Sequence, residues 1–354
     1  MLKVCHLSSV HTTFDTRIFH KECVSLTKKY EVHLVIPAEK DEVVNNVSIH
    51  HIDNVKTSRF KRMTSRVWQV YKKAVDVNAE LYHFHDPELI PVGLMLKLKG
   101  KKVIYDVHED YPGSILSKYW IKKPLRKLVS KLFNFFEKLS SKYFDYVIVV
   151  HSDLKDKFLK YNKNIEIIYN YPIFKSDIIV SKEKNTDFVW LGGFTKIRGS
   201  EQVLKAFQKA DLKLNLIGKI PENDGNNSLN CLGEHKYVDA MNIASEFFAG
   251  LVTYLPEPNH VNALPNKLFE YMYLGIAVIA SDFPKWEKIV NDAKCGFLID
   301  PFDIDNLSEK LIWMKNHPEE VKIMGDNGRK AVLEKYNWAL EEEKLLKLYN
   351  EVLS

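Results

Sequence analysis

The residues best suited to binding or catalysis lie in the second half of the chain, between Asn262 and Asp282. Pro265 suits the first turn of a helix, because the N–H group that proline lacks has no carbonyl partner there. Gly275 suits the helix end, and the continuous apolar run after it predicts a strand buried in a parallel sheet. The first N–H groups of such a helix bind anions. Glu270, one turn further on, can accept hydrogen bonds from hydroxyl groups, so the stretch predicts a pocket for a diphosphate and a ribose.

A glycine-rich turn is the second candidate phosphate contact. The apolar segment 188–191 predicts a strand that ends at Gly192 and Gly193. Glycines allow the backbone to approach a phosphate closely, and Arg198, which precedes the next predicted helix, can pair with its charge. This pattern predicts a phosphate-binding turn.

Polar side chains also follow two predicted strands in the first half of the chain. His85 and Asp86 end one strand, and His108 and Glu109 follow the next. Ligands of open α/β sheets bind beyond the carboxyl ends of the strands. Other interpretations remain open: Asp86 fits a helix N-cap, Glu109 fits a solvated charge, and His83 with His85 fits a metal site that would need a third ligand from elsewhere.

The start of the chain argues against a dinucleotide-binding enzyme. The first predicted strand is followed by Ser8 to His11, and this turn contains no glycine. Asp15 and Arg17 stand at the beginning of the next predicted helix. Together with His11 they are candidate site residues, although Asp15 also fits a helix N-cap and Arg17 a solvated surface charge.

Residues 118–142 combine an apolar helical stripe with many basic residues and a single acidic one, Glu137. A basic amphipathic helix can lie on an anionic membrane surface. An ordinary packed helix with a basic outer face has the same pattern. The apolar positions are Leu125, Leu128, Val129, Leu132, Phe136 and Leu139.

The composition is that of a globular protein of two ordinary domains, with 354 residues, 45% of them hydrophobic and 27% charged. Residues 1–150 carry 25 Lys and Arg against 16 Asp and Glu, whereas the remainder carries 26 against 30. Two halves of opposite net charge predict two domains with different partners. The four cysteines are scattered, and we find no bilayer-spanning run and expect no secretory signal, so we predict a cytoplasmic protein with reduced thiols.

Asp303 and Asp305 form the D-x-D pattern of some metal-dependent sugar transferases. They follow Pro301 and precede an apolar helical pattern, so a helix cap explains them more economically. We therefore expect no metal and no cofactor.

Strand and helix patterns alternate along nearly the whole chain, which predicts α/β domains with parallel sheets. A charged stretch after Pro172 marks the boundary between them. The prediction is an N-terminal domain of residues 1–170, a C-terminal domain of residues 171–336, and a final helix within residues 337–354.

Taken in order, these motifs resemble those of the retaining GT-B glycosyltransferases, in a form similar to family 4 and its bacterial surface-polysaccharide branch. The resemblance lies in V-H-x3-D-x-R-I-F-x-K-E from His11, H-x-H-D-P-E-L from His83, G-x5-[KR]-G from Gly192, and A-L-P-N-K-L-F-E-Y-M from Ala263. Two positions depart from the family pattern. Asn262 stands where the first of two glutamates is usual, and Gly193 stands where a second arginine is usual, for which Lys196 or Lys267 would compensate.

The resemblance implies two doubly wound Rossmann-like domains facing across a cleft, with the last helix crossing back to the first domain. It implies transfer of a sugar from a nucleotide-diphosphate sugar to a glycan or lipid-linked acceptor, with retention, without a metal and without a nucleic-acid partner. The membrane-surface interpretation of residues 118–142 follows from such an acceptor and adds peripheral attachment at the inner face of the cell membrane. The residues it implicates are His108, Asn262, Arg198 and Lys267 for catalysis, Gly192, Gly193, Leu264, Pro265, Asn266, Leu268 and Glu270 for the donor, and His11, Asp15, Arg17, His85, Asp86 and Glu109 on the acceptor side.

Two other classes of function remain open. Sugar-nucleotide epimerases or hydrolases share this architecture, and release of free sugar and nucleoside diphosphate would indicate them. A non-catalytic nucleotide-binding homologue is the other alternative, because of the departures at Asn262 and Gly193.

Overall fold

A computed structural model of the chain describes residues 1–53, 62–118, 121–174, 177–219, 227–261 and 263–354. The chain divides into two compact units. The first contains Met1–Asn170 together with Trp338–Ser354, and the second contains Tyr171–Asn337. Each unit is built around one sheet.

The strands of the first sheet are mostly short apolar runs, and those in its centre are buried on both faces, as in other parallel sheets covered by helices. Among the described residues their spatial order is β3-β4-β2-β1-β5-β6-β7-β8. These strands are β1 (Lys3–Leu7), β2 (Glu31–Pro37), β3 (Glu42–Val44), β4 (Val47–Ile52), β5 (Leu81–Phe84), β6 (Lys102–Val107), β7 (Tyr146–Val149) and β8 (Ile165–Ile167).

The helices of the first unit cover both faces of this sheet, and an apolar core lies on each side. They are α1 (Thr16–Cys23, continued by Val24–Leu26), α2 (Arg62–Arg66, continued by Val67–Val77), α3 (Pro87–Leu89, continued by Ile90–Leu98), α4 (Tyr111–Ser117), α5 (Lys123–Ser141) and α6 (Ser152–Phe158).

One strand pair departs from the predicted parallel arrangement. β3 and β4 are antiparallel and are joined at Asn45 and Asn46, whose φ angles are 50° and 62°. Asparagine tolerates the left-handed conformation that a two-residue hairpin turn requires. This hairpin forms one edge of the first sheet.

The second unit has a parallel sheet in the order β11-β10-β9-β12-β13-β14 among the described residues. Its strands are β9 (Phe188–Leu191), β10 (Leu214–Ile217), β11 (Leu229–Gly233), β12 (Ala249–Val252), β13 (Ala277–Ser281) and β14 (Gly296–Ile299). Its helices are α7 (Ser200–Ala210), α8 (Tyr237–Ala244), α9 (Pro258–Val261), α10 (Asn266–Tyr273), α11 (Pro284–Ala293), α12 (Ile304–Asn316) and α13 (Pro318–Glu334).

The last helix, α14 (Trp338–Leu353), belongs to the first unit. Leu345 and Tyr349 are fully buried in its core. The indole N–H of Trp338 donates to Ser25 Oγ at 3.0 Å, and Glu341 Oε2 accepts the backbone N–H of Tyr169 at 2.9 Å. The first unit thus contains both the beginning and the end of the chain. The predicted α/β class with a returning helix is confirmed.

Each sheet has one point where the strand order reverses. In the first sheet β2 and β5 lie on opposite sides of β1, and in the second β10 and β12 lie on opposite sides of β9. At such a point the connections that follow two neighbouring strands run in opposite directions and leave a crevice between them. Open α/β sheets bind their ligands in this crevice. The predicted site residues cluster at these two crevices.

Candidate active site

A cavity of about 730 Å³ lies in the second unit, beyond the carboxyl ends of β9, β10 and β12. It opens at the point where the strand order reverses. Most of the predicted donor residues line it, together with several aromatic side chains. Among the lining residues are Gly192, Gly193, Arg198, Gly218, Tyr237, Tyr254, His260, Pro265, Asn266, Lys267, Glu270 and Trp286.

The glycine turn after β9 forms one wall of the cavity. Gly192 has a φ angle of 86°, which favours glycine. A Cβ atom at Gly218 would lie only 2.5 Å from Gly192 O, so the two turns approach more closely than larger residues allow. The N–H groups of Gly192 and Gly218 donate to Ile217 O and Gly233 O at 2.7 and 2.8 Å, so these glycines offer space along the backbone and no side chain covers it.

Gly193, where the family usually has an arginine, holds the neighbouring Arg198 in place. Its carbonyl accepts hydrogen bonds from Arg198 Nη1 at 3.3 Å and from the indole N–H of Trp190 at 3.2 Å. A Cβ atom at this position would lie 3.0 Å from the guanidinium. The departure at Gly193 thus makes room for Arg198.

Lys267 is a buried amine at the wall of the cavity, and the nearby carboxyl group of Glu270 only partly offsets the cost of its charge. Its side chain is 6% exposed, and Nζ lies 4.1 Å from the ring centroid of Trp190. Among the described residues Nζ has no hydrogen-bond partner. Burial, reinforced by the positive charge of Arg198, holds the pKa of Lys267 well below its ordinary value. An ammonium group in this position favours an anion in the cavity.

Lys196, the other lysine proposed to compensate for the missing arginine, is placed differently. Its Nζ pairs with Glu201 at 2.7 Å, and its side chain is 83% exposed. It does not line the cavity. Of these two lysines, Lys267 is the one that lines the cavity.

Helix α10 points its first turn at the same cavity. It begins at Asn266, with Pro265 in the capping position before it, and it stops at Gly275, whose φ angle is 68°. The first N–H groups of a helix lack intrahelical partners, which leaves them for an anion.

Two predicted donor residues do not line the cavity. Leu268 is fully buried, and its N–H donates to Pro265 O at 3.1 Å, so it faces the core. Leu264 is half-buried and does not line the cavity. Asn262 lies outside the described residues.

Glu270 is hydrogen-bonded to the hydroxyl group of Tyr237. Burial raises the pKa of Glu270, while the hydrogen bond from Tyr237 and the charge of Lys267 partly oppose this rise. A carboxylate that already accepts one hydroxyl hydrogen bond is suited to accept others from a sugar ring.

In the first unit a buried ion pair organises the crevice at β1 and β5. Arg17 Nε and Nη2 donate to Asp106 Oδ2 and Oδ1, both at 3.0 Å, and Nη1 donates to Ile168 O. Arg17 is 4% exposed and Asp106 is fully buried. The surface-charge interpretation of Arg17 is therefore wrong.

The predicted histidines collect around this pair. His85 Nδ1 and His108 Nε2 both donate to Asp106 Oδ2, at 3.2 and 3.0 Å. Burial alone would raise the pKa of Asp106, but Arg17 and the two histidines hold it well below its usual value. Burial lowers the pKa of His85 to about 4. His85 is internal, whereas His108 is half-buried at the crevice.

His11 joins the other acceptor-side residues to this cluster. Its ring lies 5.2 Å from that of His108, Nδ1 lies 3.2 Å from Asp15 Oδ2, and Nε2 lies 3.5 Å from Asp86 Oδ1. Asp15 also caps α1 by accepting the N–H groups of Arg17 and Ile18, so the N-cap interpretation is confirmed. Asp15 thus caps α1 and also contacts His11.

Asp86 does not cap the helix that follows it, and Glu109 is an exposed charge. Asp86 occupies a capping position, but its side chain accepts no hydrogen bond from the helix. It accepts instead from Ser8 Oγ at 2.8 Å and Ser9 N at 2.6 Å, and so fixes the turn after β1. Glu109 is exposed and accepts from Ser114 Oγ, apart from the histidine cluster.

Asp303 caps α12 by accepting the N–H of Asn306 at 2.9 Å, as predicted. Asp305 pairs with Lys209 at 2.7 Å. Each carboxylate of the D-x-D pattern thus has a structural partner.

Several residues at these sites were not predicted. Asp106 gave one usable signal, a charge inside an otherwise apolar strand. Trp190, Tyr237 and Tyr254 gave none, because an aromatic residue near a strand end is as common in a core as in a pocket.

Two known sequence-family models match this chain. Residues 16–171 match the model Glycosyltransferase Family 4, and residues 174–331 match the model Glycosyl transferases group 1. Together the two matches cover most of the chain. The protein therefore belongs to the glycosyltransferases with the GT-B fold.

Individual relatives agree with this assignment. An uncharacterized glycosyltransferase of Methanocaldococcus jannaschii is 24% identical over 342 residues, which cover 88% of this chain and 83% of the relative. A glycosyltransferase structure from Rickettsia africae superimposes with a TM-score of 0.73 at 14% identity, over 100% of this chain and 99% of the other. The Anabaena protein HepE, in complex with UDP-glucose, has a TM-score of 0.65 at 14% identity, over 99% and 100% of the two chains. The structural likenesses concern the fold.

None of the helices among the described residues combines the length and the apolar content needed to cross a bilayer.

Proposed function

We propose that this glycosyltransferase moves a hexosyl group from a nucleotide-diphosphate sugar to a glycan acceptor, with retention of configuration and without a catalytic metal. The observation that carries the proposal is the unpaired, buried ammonium group of Lys267 in a cavity that also receives Arg198 and the first turn of α10. A buried cation without a partner is costly in a free protein, and an anionic ligand offsets that cost.

The cavity offers a place for each part of such a donor. Arg198, Lys267 and the N–H groups at the start of α10 hold the diphosphate, and the glycine turn lets it approach the backbone. Glu270 and Tyr237 bind the ribose hydroxyls. The UDP-glucose in the Anabaena structure supports a nucleotide sugar as the ligand.

The same groups account for catalysis. The bond between the anomeric carbon and the diphosphate oxygen breaks, and the acceptor oxygen bonds to that carbon on the same face. The acceptor's proton passes to the departing diphosphate. Arg198, Lys267 and the helix N–H groups stabilise the charge that develops on this leaving group. His108 contacts the transferred sugar, and Asn262 replaces an acidic contact to it.

The test of this function is donor binding by Glu270→Gln. Loss of hydrogen bonds to a charged group weakens binding of the matching nucleoside diphosphate about 10–100-fold. Calorimetric titration with UDP, GDP and ADP measures this effect, and Glu201→Gln, an exposed glutamate outside the cavity, is the matched control. Unchanged affinity in the Glu270 variant would remove the assignment.

Turnover distinguishes the other classes of function. Release of free sugar and nucleoside diphosphate without transfer to any glycan would indicate a hydrolase or epimerase. Binding of nucleoside diphosphates without consumption of any sugar nucleotide would indicate a non-catalytic homologue. Transfer to a glycan with the α or β configuration of the donor preserved is the result that we expect.

Binding of the nucleoside diphosphate should weaken as the pH rises from neutral toward the ordinary pKa of a lysine. The pKa of Lys267 is lowered in the free protein, and a bound diphosphate raises it, so binding takes up a proton between these two values. Above about pH 7 the phosphate groups are already ionised and do not contribute. Calorimetry in buffers of different ionisation enthalpy measures the proton uptake. It should vanish in Lys267→Met, and equal uptake in both proteins would contradict the assignment.

We propose further that the acceptor is lipid-linked, that the enzyme serves polysaccharide biosynthesis, and that it works from the cytoplasm at the inner face of the membrane. The support comes from α5. Its inward face carries Ser130, Glu137 and Ser140, which are buried, and Phe133, which packs against the core, while most of its apolar residues are exposed. The exposed apolar side chains are Leu125, Leu128, Val129, Leu132, Phe135, Phe136 and Leu139.

Exposed lysines accompany this apolar face, namely Lys122, Lys123, Lys127 and Lys131. The basic segment is not one continuous helix, because α5 begins only at Lys123, with Pro124 in its first turn. An apolar face bordered by basic residues fits an anionic lipid surface. An ordinary packed helix would turn its apolar residues inward.

Reversal of these four lysines to glutamate should lower partition onto anionic vesicles at least a hundredfold, since each basic residue near the surface contributes about 1 kcal/mol. Sedimentation with phosphatidylglycerol vesicles measures the partition. Reversal of Lys213, Lys288, Lys322 and Lys330, which are exposed in the second unit, changes the net charge equally and serves as the control. Equal partition of the two variants would exclude α5 as the membrane contact.

A further inference from the structure

The core of the first unit contains a compact group of four metal-binding side chains that the transferase chemistry does not use. His6 lies on β1, Glu22 on α1, His83 on β5 and His85 directly after β5. All four are fully buried. One possible ligand atom from each lies within 4.8 Å of those from the others.

The distances within the group are close to those of a metal site. His6 Nδ1 lies 2.9 Å from His85 Nε2, and Glu22 Oε2 lies 3.9 Å from the first and 3.8 Å from the second. Tetrahedral ligands about 2.05 Å from a zinc ion are roughly 3.3 Å from one another. Shifts of under about 1 Å would bring these atoms to that spacing.

The other ring nitrogen of each histidine has an oxygen partner. His85 Nδ1 donates to Asp106 Oδ2 at 3.2 Å. His83 Nδ1 and His6 Nε2 lie 2.7 and 2.9 Å from the hydroxyl oxygen of Tyr349 on α14. Metal-bound histidines almost always have such a partner, which fixes the ring and raises its basicity.

Two of the ligand groups have no hydrogen bond within the described part of the chain. His83 Nε2 and both carboxylate oxygens of Glu22 are buried without a hydrogen bond within the part of the chain that the structure describes. Arg17 Nε lies 3.0 Å from Glu22 Oε1, but it donates to Asp106. One guanidinium group therefore faces two buried carboxyl groups.

Hydrogen bonding alone leaves the group incomplete. Because His85 Nδ1 donates to Asp106, its Nε2 must accept from His6 Nδ1, and His6 Nε2 then accepts from the hydroxyl of Tyr349. Tyr349 in turn accepts from His83 Nδ1, and the chain ends at a lone pair on His83 Nε2. That lone pair points into the same buried group as Glu22.

We propose that His6 Nδ1, His83 Nε2, His85 Nε2 and Glu22 bind one divalent transition-metal ion, with zinc as the first candidate. Three imidazoles and one carboxylate suit zinc, and four protein ligands make the site structural, since no position is left for water or substrate. The ion joins β1, α1 and β5, and Tyr349 ties α14 to the same point. Metal binding requires an ionised Glu22 and requires that the proton of His6 lie on Nε2, beside Tyr349, and not on Nδ1. Sequence reasoning found only His83 and His85, because the other two ligands lie far from them along the chain.

The metal content of the intact protein tests this site. The full chain is made without a histidine tag in medium with zinc, purified without chelator, and measured by inductively coupled plasma mass spectrometry. We expect one zinc per chain, and growth with cobalt should give the intense visible absorption of four-coordinate Co²⁺. No bound metal and no cobalt spectrum would overturn the proposal in favour of a neutral hydrogen-bonded chain with a proton on Glu22.

Variants assign the ion to these residues. Glu22→Gln should lose at least nine-tenths of the metal, and Tyr349→Phe, which keeps the shape of the core, should lower zinc affinity about 10–100-fold. His33→Asn is the matched control, because His33 and His50 form a similar pair on β2 and β4 at 2.8 Å, and the contact of His33 with Glu31 at 3.0 Å does not bring three ligand atoms together among the described residues. If Glu22→Gln does not fold, Tyr349→Phe alone decides. Full metal content in that variant with unchanged affinity, or equal loss in the His33 control, would overturn the assignment.

Discussion

Replacement of Lys267 by methionine is expected to lower kcat/KM for the sugar nucleotide about 10²–10³-fold, the usual effect of removing one group that stabilises charge in a transition state. Lys267 is the cation at the start of α10 that has no partner in the described part of the free protein. Methionine has a similar length and fills the space against Trp190, so packing is preserved. Steady-state kinetics with the donor identified by calorimetry measure the effect.

The same substitution should leave the melting temperature of the ligand-free protein unchanged or higher. A buried charge without a partner destabilises the folded state, and the apolar side chain removes that cost. Thermal unfolding with and without nucleoside diphosphate measures both states, and the ligand should stabilise the variant less than the wild type. Lys196→Met is the control, because Lys196 is exposed and paired with Glu201. A stable Lys267 variant with wild-type kcat/KM would contradict the role of this residue.

Replacement of Arg17 by methionine is expected to lower the free energy of unfolding of the first unit by about 3–5 kcal/mol, as when one partner of a buried ion pair is removed. The substitution leaves Asp106 and Glu22 as two buried carboxylates without a cation. It also removes the hydrogen bond to Ile168 O. Urea denaturation followed by far-UV circular dichroism measures the change.

Asp106→Asn should cost less than Arg17→Met, because Glu22 Oε1 lies 3.0 Å from Arg17 Nε and can take over the pairing once it loses its proton. The double variant Arg17→Met with Asp106→Leu should regain part of the stability, since it removes both charges together. Asp41→Ala, in an exposed ion pair with His51, is the control and should cost about 1 kcal/mol or less. Equal losses in Arg17→Met and Asp41→Ala would exclude the buried pair as the anchor of this crevice.

The features predicted correctly from the sequence depend on neighbouring residues. Pro265 and Gly275 bound α10 because their backbone preferences act within one turn. Asp15 and Asp303 cap helices because their carboxylates reach N–H groups two or three residues away. The alternation of strands and helices fixed the class of fold for the same reason.

Most of the features that the sequence left open or missed depend on contacts between distant segments. Arg17 reads as a surface charge until β6 brings Asp106 beside it. An apolar stripe at helical spacing predicts an amphipathic helix, but it does not show whether protein or solvent covers the apolar face. In α5 most of the stripe is exposed. The hairpin at Asn45 and Asn46 was missed because its strands are short and its turn lacks glycine.

A crystal structure with bound UDP, the nucleotide of the Anabaena complex, is the most direct test of the account. We predict that its diphosphate lies against Gly192, Arg198 and the start of α10, within hydrogen-bonding distance of Lys267 Nζ, with the ribose on Glu270. Should calorimetry favour GDP or ADP, that nucleotide replaces UDP. A nucleotide bound instead at Ser8 to His11 in the first unit, with the cavity of the second unit empty, would contradict the donor site and every role assigned to it.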